Sequence, residues 1–513
     1  AAAIAIGVAV TRRGDHPAPA PTAPIATAPP APTLPPAPPL PPPPPPNRYV
    51  GSARCAECHA KEHAAWKTDW HARALSPAKP PFVVGDFAGA HFAGSSSEAW
   101  MQRRDGRYLM RTRGADGTLA DFPVGWVIGG KHMQDNLTVT ADGRWQVLPV
   151  YFHVRTRAWV DYTESKQGAL TPSHPFFWTN VRRMANHECL DCHTTGPRIT
   201  YDPGAHAWTT ESADPNVACE ACHGPGERHS DSQEAADVVH PVHAGEVGLS
   251  ACARCHGPRQ PLWPLLDADH AFRLGQRYDE AYDPIVVVLS DGGRSSDFFA
   301  DGRPSTSSFE YQAMLQSACY RKGGATCLTC HGAPHKPSRG NELRDTADAL
   351  CAKCHAPIVA ARAAHSHHRD AAAQRCVACH MPPVTSGVLD QFGDHALDVP
   401  APEVTVKHRV PNACGVCHRD RGADVLGRQL ADWWPDAAKR QARRLRLADA
   451  IDEDTARDSA RALVAVIRDA DEAPTLRGAA MVLLARRFGA RAVSGLVPLL
   501  DSPDVVIRAK AAE

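Results

Sequence analysis

The chain has 513 residues, enough for about three domains. Lysine plus arginine and aspartate plus glutamate both number 56, so no basic excess indicates a nucleic-acid partner. Aromatic residues make up only 6% of the sequence, which is little material for the core of so long a chain. Cysteine occurs 17 times and histidine 27 times. The arrangement of these two residue types is the main indication of function in the sequence.

The N-terminus begins with a short apolar stretch, AAAIAIGVAV, that ends at TRR. Because a bilayer span needs about 20 residues, this stretch is too short to cross a membrane. We interpret residues 1–13 as the remnant of a signal or anchor segment that brings the protein near a membrane. A short buried segment is the alternative.

A proline-rich segment follows, in which 17 of the 30 residues from Pro17 to Pro46 are proline. Such a sequence cannot form a helix or pair in a sheet, and it favours an extended polyproline II conformation. At about 3.1 Å per residue it would span roughly 90 Å. We predict that residues 14–48 form a linker between the N-terminal segment and the body.

The first cysteine pair stands in CAECHAKEHAAWKTDWHARAL, which begins at Cys55. A C-x-x-C pair is compatible with a zinc site, a thioredoxin-like dithiol or a haem attachment site. The chain has eight such pairs, and a histidine follows every one of them. Zinc sites have no reason to require histidine at that position, so the repetition indicates haem.

The C-x-x-C-H spacing has a chemical meaning. Two thiols three positions apart reach the two vinyl groups along one porphyrin edge, and the adjacent imidazole binds the iron as proximal ligand. We therefore predict eight covalently bound haem c groups, which would also supply much of the missing apolar interior. The predicted attachment residues are Cys55, Cys58, Cys189, Cys192, Cys219, Cys222, Cys252, Cys255, Cys327, Cys330, Cys351, Cys354, Cys376, Cys379, Cys414 and Cys417. The predicted proximal ligands are His59, His193, His223, His256, His331, His355, His380 and His418.

One cysteine, Cys319, has no partner in a motif, and we interpret it as a packed small residue. About 130 residues without cysteine separate the first two motifs. Within them, NLTVTADGRWQVLPVYFHV alternates like two strands around a turn at Asp142 and Gly143. This pattern predicts a small β-element that covers one flank of the haems.

The sequence changes character after the last motif. Residues 441–513 place alanine, leucine and valine at helical spacing among arginine and aspartate. The phrase LVPLLDSPDVVIRAKAAE resembles a HEAT repeat, in which two helices meet at a corner. Because such repeats need neighbours to bury their faces, we expect either a protein partner on this segment or a longer natural chain. An ordinary helical hairpin on the body is the alternative.

Several phrases resemble the cytochrome c-554 family and its longer multihaem relatives. They include CAECHAKEHAAWKTDWHARA, CLDCHTTG, VACEACHGPGERH, VIGGKHMQDNL, FEYQAMLQSACYRKGGATCLTCH and VPNACGVCH. The resemblance extends from about Gly51 to Trp434, with Cys319 and His408 as departures from the family pattern. It implies an exported, mainly α-helical electron-transfer protein with haems in close-packed pairs and little regular structure.

The resemblance also implies a division of the body. An octahaem cytochrome c domain at 49–440 would comprise a c-554-like part at 49–260 and a part with doubled haem motifs at 261–440. The HEAT-like helices of 441–513 would follow it.

Outside the motifs lie 19 histidines, which could bind the irons from the opposite face. His63 follows His59 by four residues and lies on the same side of a helix, so we do not expect it to bind that iron. His335 has the same spacing from a motif histidine and is expected to serve a neighbouring haem. The resemblance indicates His71 and His395 as distal ligands.

The cluster HSHH is expected to supply one ligand, and two further histidines stay open as candidates. The distal candidates are His71, His187, His229, His335, His365, His367 and His395. Which of His365, His367 and His368 in the cluster binds stays open, and the other histidines outside it, His240 among them, are interpreted as ordinary polar residues.

These observations favour an exported octahaem cytochrome, periplasmic or at the cell surface, that passes electrons between redox partners such as cytochromes or a membrane-bound donor. An octahaem oxidoreductase that acts on a small nitrogen or sulfur compound at one open iron is the first alternative. A haem-bearing scaffold that recruits a partner through its helical repeats is the second. The sequence favours electron transfer over substrate conversion and indicates no catalytic residue.

Overall fold

The computed structural model describes residues 47–161, 170–257, 260–263, 271–285, 287–288, 293–306, 308–332, 334–335, 342–386, 389–452 and 457–513. The predicted anchor remnant and all but the last two residues of the predicted linker lie outside these ranges. No helix in the described ranges is both long and apolar enough to cross a bilayer.

Two antiparallel sheets lie between the first and second motifs. The first sheet has four consecutive strands, Ala90–Ala93, Glu98–Arg104, Arg107–Arg113 and Leu119–Pro123. The second has six strands, Leu75–Pro77, Trp126–Gly129, Met133–Val139, Trp145–Val147, Val150–His153 and Ala158–Asp161. The chain is thus mainly helical with a β-part, as expected, but that β-part is larger than the sequence indicated.

The alternation of the sequence explains how the sheets pack. Ala99 and Met101 in Glu98–Arg104 and Tyr108 and Met110 in Arg107–Arg113 are buried at alternate positions, and Met101 faces Met110 in the register. These side chains pack against Phe87, Leu148 and Trp178 in one apolar cluster.

The predicted turn at Asp142 and Gly143 joins the strands Met133–Val139 and Trp145–Val147. Gly143 has φ +77°, and a Cβ at this position would lie 1.9 Å from the carbonyl oxygen of Trp208. Only glycine permits this approach, which brings the hairpin onto the residues between the second and third motifs.

Most motifs lie on short helices joined by irregular segments. The helices that carry motif residues are Ser52–Ala56, Leu190–His193, Glu220–His223, Gly245–His256, Cys327–Cys330, Ala347–Ala360, Cys376–His380 and Cys414–Cys417. Shorter helical segments between them are Ala60–Trp66, His71–Arg73, Val181–Arg183, Ala185–Glu188, Glu227–Ser232, Ala235–Asp237, Tyr278–Glu280, Glu310–Gln316, Ala318–Arg321, Arg362–Ser366 and Pro402–His408. Two hairpins, Arg198–Asp202 with Ala207–Glu211 and Pro383–Ser386 with Asp390–Gly393, complete this part.

The C-terminal part is helical, as expected. Its helices are Ala423–Trp433, Ala437–Asp452, Arg457–Arg468, Pro474–Phe488, Gly489–Ala492, Val493–Leu496, Val497–Asp501 and Val505–Ala512. From Ala437 onward, the apolar faces of these helices share one core with Ile285, Val288 and Phe298 of the preceding part. A Cβ on Gly478 would lie 2.1 Å from Cδ1 of Ile285, so the absence of a side chain allows this close contact. The resemblance to HEAT repeats stays a prediction.

Candidate haem-binding sites

A helical turn shapes the motifs. The amide of the motif histidine donates to the carbonyl of the first motif cysteine, at 2.9 Å for His59 and 3.0 Å for His193. The same bond occurs in the motifs that end at His223, His331 and His418. It spans four residues, the step of an α-helix, and residues three apart on such a turn share one face. The two thiols of a motif therefore point to one side, as attachment to one porphyrin edge requires.

Six motif histidines face a second imidazole within the described part of the chain. The pairs and their ring-centre separations are His59–His229 at 6.1 Å, His256–His71 at 6.4 Å, His223–His335 at 5.8 Å, His331–His395 at 6.2 Å, His380–His365 at 6.2 Å and His418–His368 at 6.1 Å. A metal–nitrogen bond of about 2 Å on each side of one ion would separate two ring centres by roughly 6 Å. The residues present therefore fit an iron that is held by imidazoles on both faces.

His223 has two imidazoles near it. His335 lies at 5.8 Å with nearly parallel rings, and His240 lies at 6.1 Å, edge-on. Nε2 of His240 already contacts the carbonyl of Ala235 at 3.1 Å. His335 is therefore the better partner for His223.

Hydrogen bonds at Nδ1 orient these imidazoles. The Nδ1 atoms of His193, His223, His229, His368, His380 and His395 contact the backbone carbonyls of Ala74, Val239, Glu234, Ser366, Asp398 and Gly393, at 2.6–3.1 Å. Such contacts fix the tautomer and leave Nε2 for a metal, which is the usual arrangement of metal-binding histidines.

Five of the seven distal candidates face a motif histidine, namely His71, His229, His335, His365 and His395. His187 instead lies edge-on to Trp208 at 5.3 Å, and His367 stacks on Trp433 at 4.9 Å. The role of both histidines as ligands stays a prediction.

The sequence reasoning missed His368, because only one ligand was expected from the cluster HSHH. In the structure, His365 and His368 face different motifs. The left-handed residue His367, with φ +56°, ends the helix between them. The spacing of three residues within the cluster is the signal that could have indicated two ligands.

The sixth motif has less regular surroundings. His355 has non-helical dihedral angles inside the helix Ala347–Ala360, two residues before Pro357, where a kink is expected. Among the described ring contacts, none places an imidazole opposite His355.

Cysteine thiols of different motifs lie against one another. The neighbouring thiol of Cys219 raises the pKa of Cys55, so the first motif lies beside the third. The neighbouring thiol of Cys252 lowers the pKa of Cys327, so the fourth motif lies beside the fifth. The edges of the corresponding haems would therefore adjoin.

The fourth motif has further neighbours. The thiol of Cys255 donates to the backbone carbonyl of Cys192 in the second motif at 3.8 Å, and the thiol of Cys192 donates to the carbonyl of Arg254 at 3.7 Å. Burial, and then the nearby Cys252, raise the pKa of Cys222 in the third motif to about 12. The fourth motif thus adjoins the second, third and fifth.

The later motifs follow in chain order. Burial, the adjoining Cys376 of the seventh motif and Cys330 of the fifth raise the pKa of Cys351 in the sixth motif to about 12. Burial, and then Cys379 of the seventh motif, raise the pKa of Cys414 in the eighth to about 11. In space, the motifs therefore follow one another in the order one, three, four, five, six, seven and eight. The second motif lies beside the fourth.

Buried charges support this arrangement. Arg254, between the two cysteines of the fourth motif, donates to the carbonyl oxygen of Asp191 at 2.8 Å and contacts its carboxylate at 3.4 Å. Since Asp191 lies inside the second motif, this contact fastens the second motif to the fourth.

Burial would raise the pKa of Asp69, but hydrogen bonds from His71 outweigh this effect and lower it.

In the described ranges, no three or more histidine, cysteine, aspartate or glutamate side chains group as a metal site would need. Burial raises the pKa of Cys189 to about 12, whereas the thiol of Cys252 lowers the pKa of Cys327.

Comparison with known proteins agrees with this geometry. A family model for cytochrome c554 and c-prime matches residues 157–224, and a model for the doubled CXXCH motif matches residues 320–360. No curated protein matches the chain. The crystal structure of the outer cell wall cytochrome OcwA is similar, with a TM-score of 0.52 and 18% identity over 90% of this chain and 99% of that one. The chain is a multihaem c-type cytochrome.

Two further multihaem structures match this cytochrome less well. The undecahaem cytochrome from the S-layer of Carboxydothermus ferrireducens has a TM-score of 0.40 and 15% identity, over 91% of this chain and 69% of that one. The octahaem sulfite reductase MccA of Wolinella succinogenes has a TM-score of 0.32 and 15% identity, over 69% and 58%.

The haem c groups of this cytochrome are attached covalently through its CXXCH motifs. Bound haem supplies one-electron chemistry, and the protein contributes orientation, burial and hydrogen bonds that set the potentials.

Proposed function

We propose that the protein is an exported octahaem cytochrome that conducts electrons between redox partners. The observation that carries this proposal is the set of six facing imidazole pairs. An iron held by imidazoles on both faces has no position for a substrate, so it exchanges electrons without converting a molecule.

The contacts between motifs support one continuous path. Motifs one, three, four, five, six, seven and eight adjoin in turn through their cysteines, so electrons would cross only short gaps. Each facing histidine also comes from outside the motif that it faces. His229 follows the third motif but faces the first, and His395 follows the seventh but faces the fifth. Such cross-connections would hold successive haems at fixed separations.

The predicted anchor remnant and proline-rich linker support a location outside the cytoplasm, near a membrane. A fold shared with an outer cell wall cytochrome is compatible with the periplasm or the cell surface. The expected partners are other cytochromes or a membrane-bound donor. The C-terminal helices expose Val493, Val497 and Leu500, which would suit a protein partner on the HEAT-like segment.

Electrochemistry of the loaded protein tests this function. We expect denaturing mass spectrometry to give eight haems per chain. When the protein is tethered to an electrode by a C-terminal tag, the charge transferred per chain should equal the same eight electrons, since every haem lies on one connected path. Fewer haems would contradict the octahaem assignment. Fewer electrons than haems would contradict the continuous path.

A further inference from the structure

The fourth motif, Cys252–His256, has more neighbouring motifs than any other among the described cysteine contacts. It adjoins three other motifs, through Cys222, Cys327 and Cys192, whereas each of the others adjoins one or two. If the motifs form one conduit, as proposed above, the fourth is the branch point at which the second motif joins the path.

The two imidazoles at this branch point also differ from the rest. Nδ1 of His71 lies 2.6 Å from Oδ1 of Asp69, whose side chain is only 6% exposed. The backbone amide of His71 donates to the same oxygen at 2.9 Å, which fixes the carboxylate in place. In the other facing pairs, every Nδ1 contact described above goes to an uncharged backbone carbonyl.

A second carboxylate lies at the other imidazole. Oε2 of Glu310 is buried and has no hydrogen-bond partner among the described residues, and Nδ1 of His256 lies 3.9 Å away. Among the charges that act on Asp69, Lys131 is itself paired with Glu342 at 3.1 Å. Asp69 and Glu310 thus place one carboxylate beside each of the two imidazoles.

We propose that Asp69 and Glu310 give the branch-point haem the lowest reduction potential in the protein. A carboxylate at Nδ1 makes the imidazole a stronger electron donor and stabilises the ferric state. With a carboxylate on both faces, the branch-point haem is the last to be reduced. Because the fourth motif lies between the third and the fifth, electrons must climb this step along the main path as well as on the way to the second motif.

The ring geometry offers a way to recognise this haem. The imidazoles of His71 and His256 are nearly perpendicular, at 75°, whereas the other five facing pairs lie at 10–37°. Perpendicular imidazole planes give a low-spin ferric EPR signal at larger g than nearly parallel planes. In an EPR-monitored redox titration of the loaded protein, we expect the large-g signal to be the last ferric signal to disappear on reduction.

Substitutions test the role of the two carboxylates. In Asp69→Asn and in Glu310→Gln, the lowest midpoint potential should shift in the positive direction, and further in the double variant, with the haem count unchanged. As a control, Asp449→Asn removes a carboxylate that binds His408, a histidine outside the facing pairs, and should shift none of the potentials.

Loss of the large-g signal early in the titration would overturn the proposal. An unchanged lowest potential in both single variants would also overturn it, and if Asp69→Asn fails to incorporate haem, Glu310→Gln alone decides. These experiments measure reduction potentials and not electron conduction. Their outcome therefore does not depend on whether the protein conducts electrons or turns over a substrate.

Discussion

Replacing His71 with alanine should convert one haem of the loaded protein from low-spin to high-spin. His71 faces His256 at 6.4 Å and is oriented by its hydrogen bond to Asp69. Alanine cannot reach the iron, so the haem of the fourth motif would keep only its proximal ligand. The low-temperature EPR spectrum should gain one high-spin ferric signal per chain and lose the large-g low-spin signal.

A neighbouring histidine provides the matched control. His63 lies eight residues earlier and packs against Trp66, with ring centres 5.3 Å apart. His63→Ala should leave the spectrum unchanged. A high-spin signal in the His63 variant, or an unchanged spectrum in the His71 variant, would show that the distal ligand of this motif is assigned wrongly.

Replacing Arg444 with methionine should lower the free energy of unfolding by about 3 kcal/mol, because it breaks a buried ion pair. Arg444 is 1% exposed, and its Nε donates to Oδ2 of Asp398 at 2.6 Å. It also donates to the side chain of Gln316 at 2.9 Å. The carbonyl of Asp398 in turn contacts Nδ1 of the motif residue His380 at 3.1 Å, so this pair links the C-terminal helices to the seventh motif.

Guanidinium denaturation of the loaded protein measures this effect, with Arg428→Ala as the control. Arg428 pairs with Asp424 on the surface at 3.0 Å, and its loss should change stability by less than about 0.5 kcal/mol. Equal effects of the two substitutions would contradict the account of the buried pair.

The dependence on pH provides a second check. Burial would raise the pKa of Asp398, but Arg444 and Arg443 hold it well below its usual range. A carboxyl group with a lowered pKa stabilises the fold above its unfolded pKa of about 3.9 and loses this contribution in acid. The difference between the wild type and Arg444→Met should therefore shrink as the pH falls below about 4.

The sequence predicted the haem attachment residues without the structure, because covalent attachment requires cysteines and a histidine within five consecutive positions. Such local chemistry is visible in a single sequence. The distal partners were harder to predict, since His229 faces His59 from 170 positions away and nothing local marks that pairing. The family resemblance supplied His71 and His395, whereas His368 was missed.

Long-range packing explains the remaining differences. The outer strands Ala90–Ala93 and Leu119–Pro123 have no fully buried side chain that sequence periodicity could reveal, and the register with their neighbours decides which side chains face the core. The shared core of the C-terminal helices depends on Ile285, which lies nearly 200 residues before the helix that contains Gly478. The order of the motifs in space likewise follows from contacts between distant cysteines.

The central claim is that this cytochrome conducts electrons and does not turn over a substrate. Its most direct test follows the haem absorbance of the fully reduced protein after it is mixed separately with nitrite, hydroxylamine, sulfite, tetrathionate and an oxidised cytochrome. We expect rapid reoxidation by the cytochrome and slow reoxidation by all four small molecules. Catalytic reoxidation by any of the four at about 1–10³ s⁻¹, the range of typical enzymes, would contradict the claim.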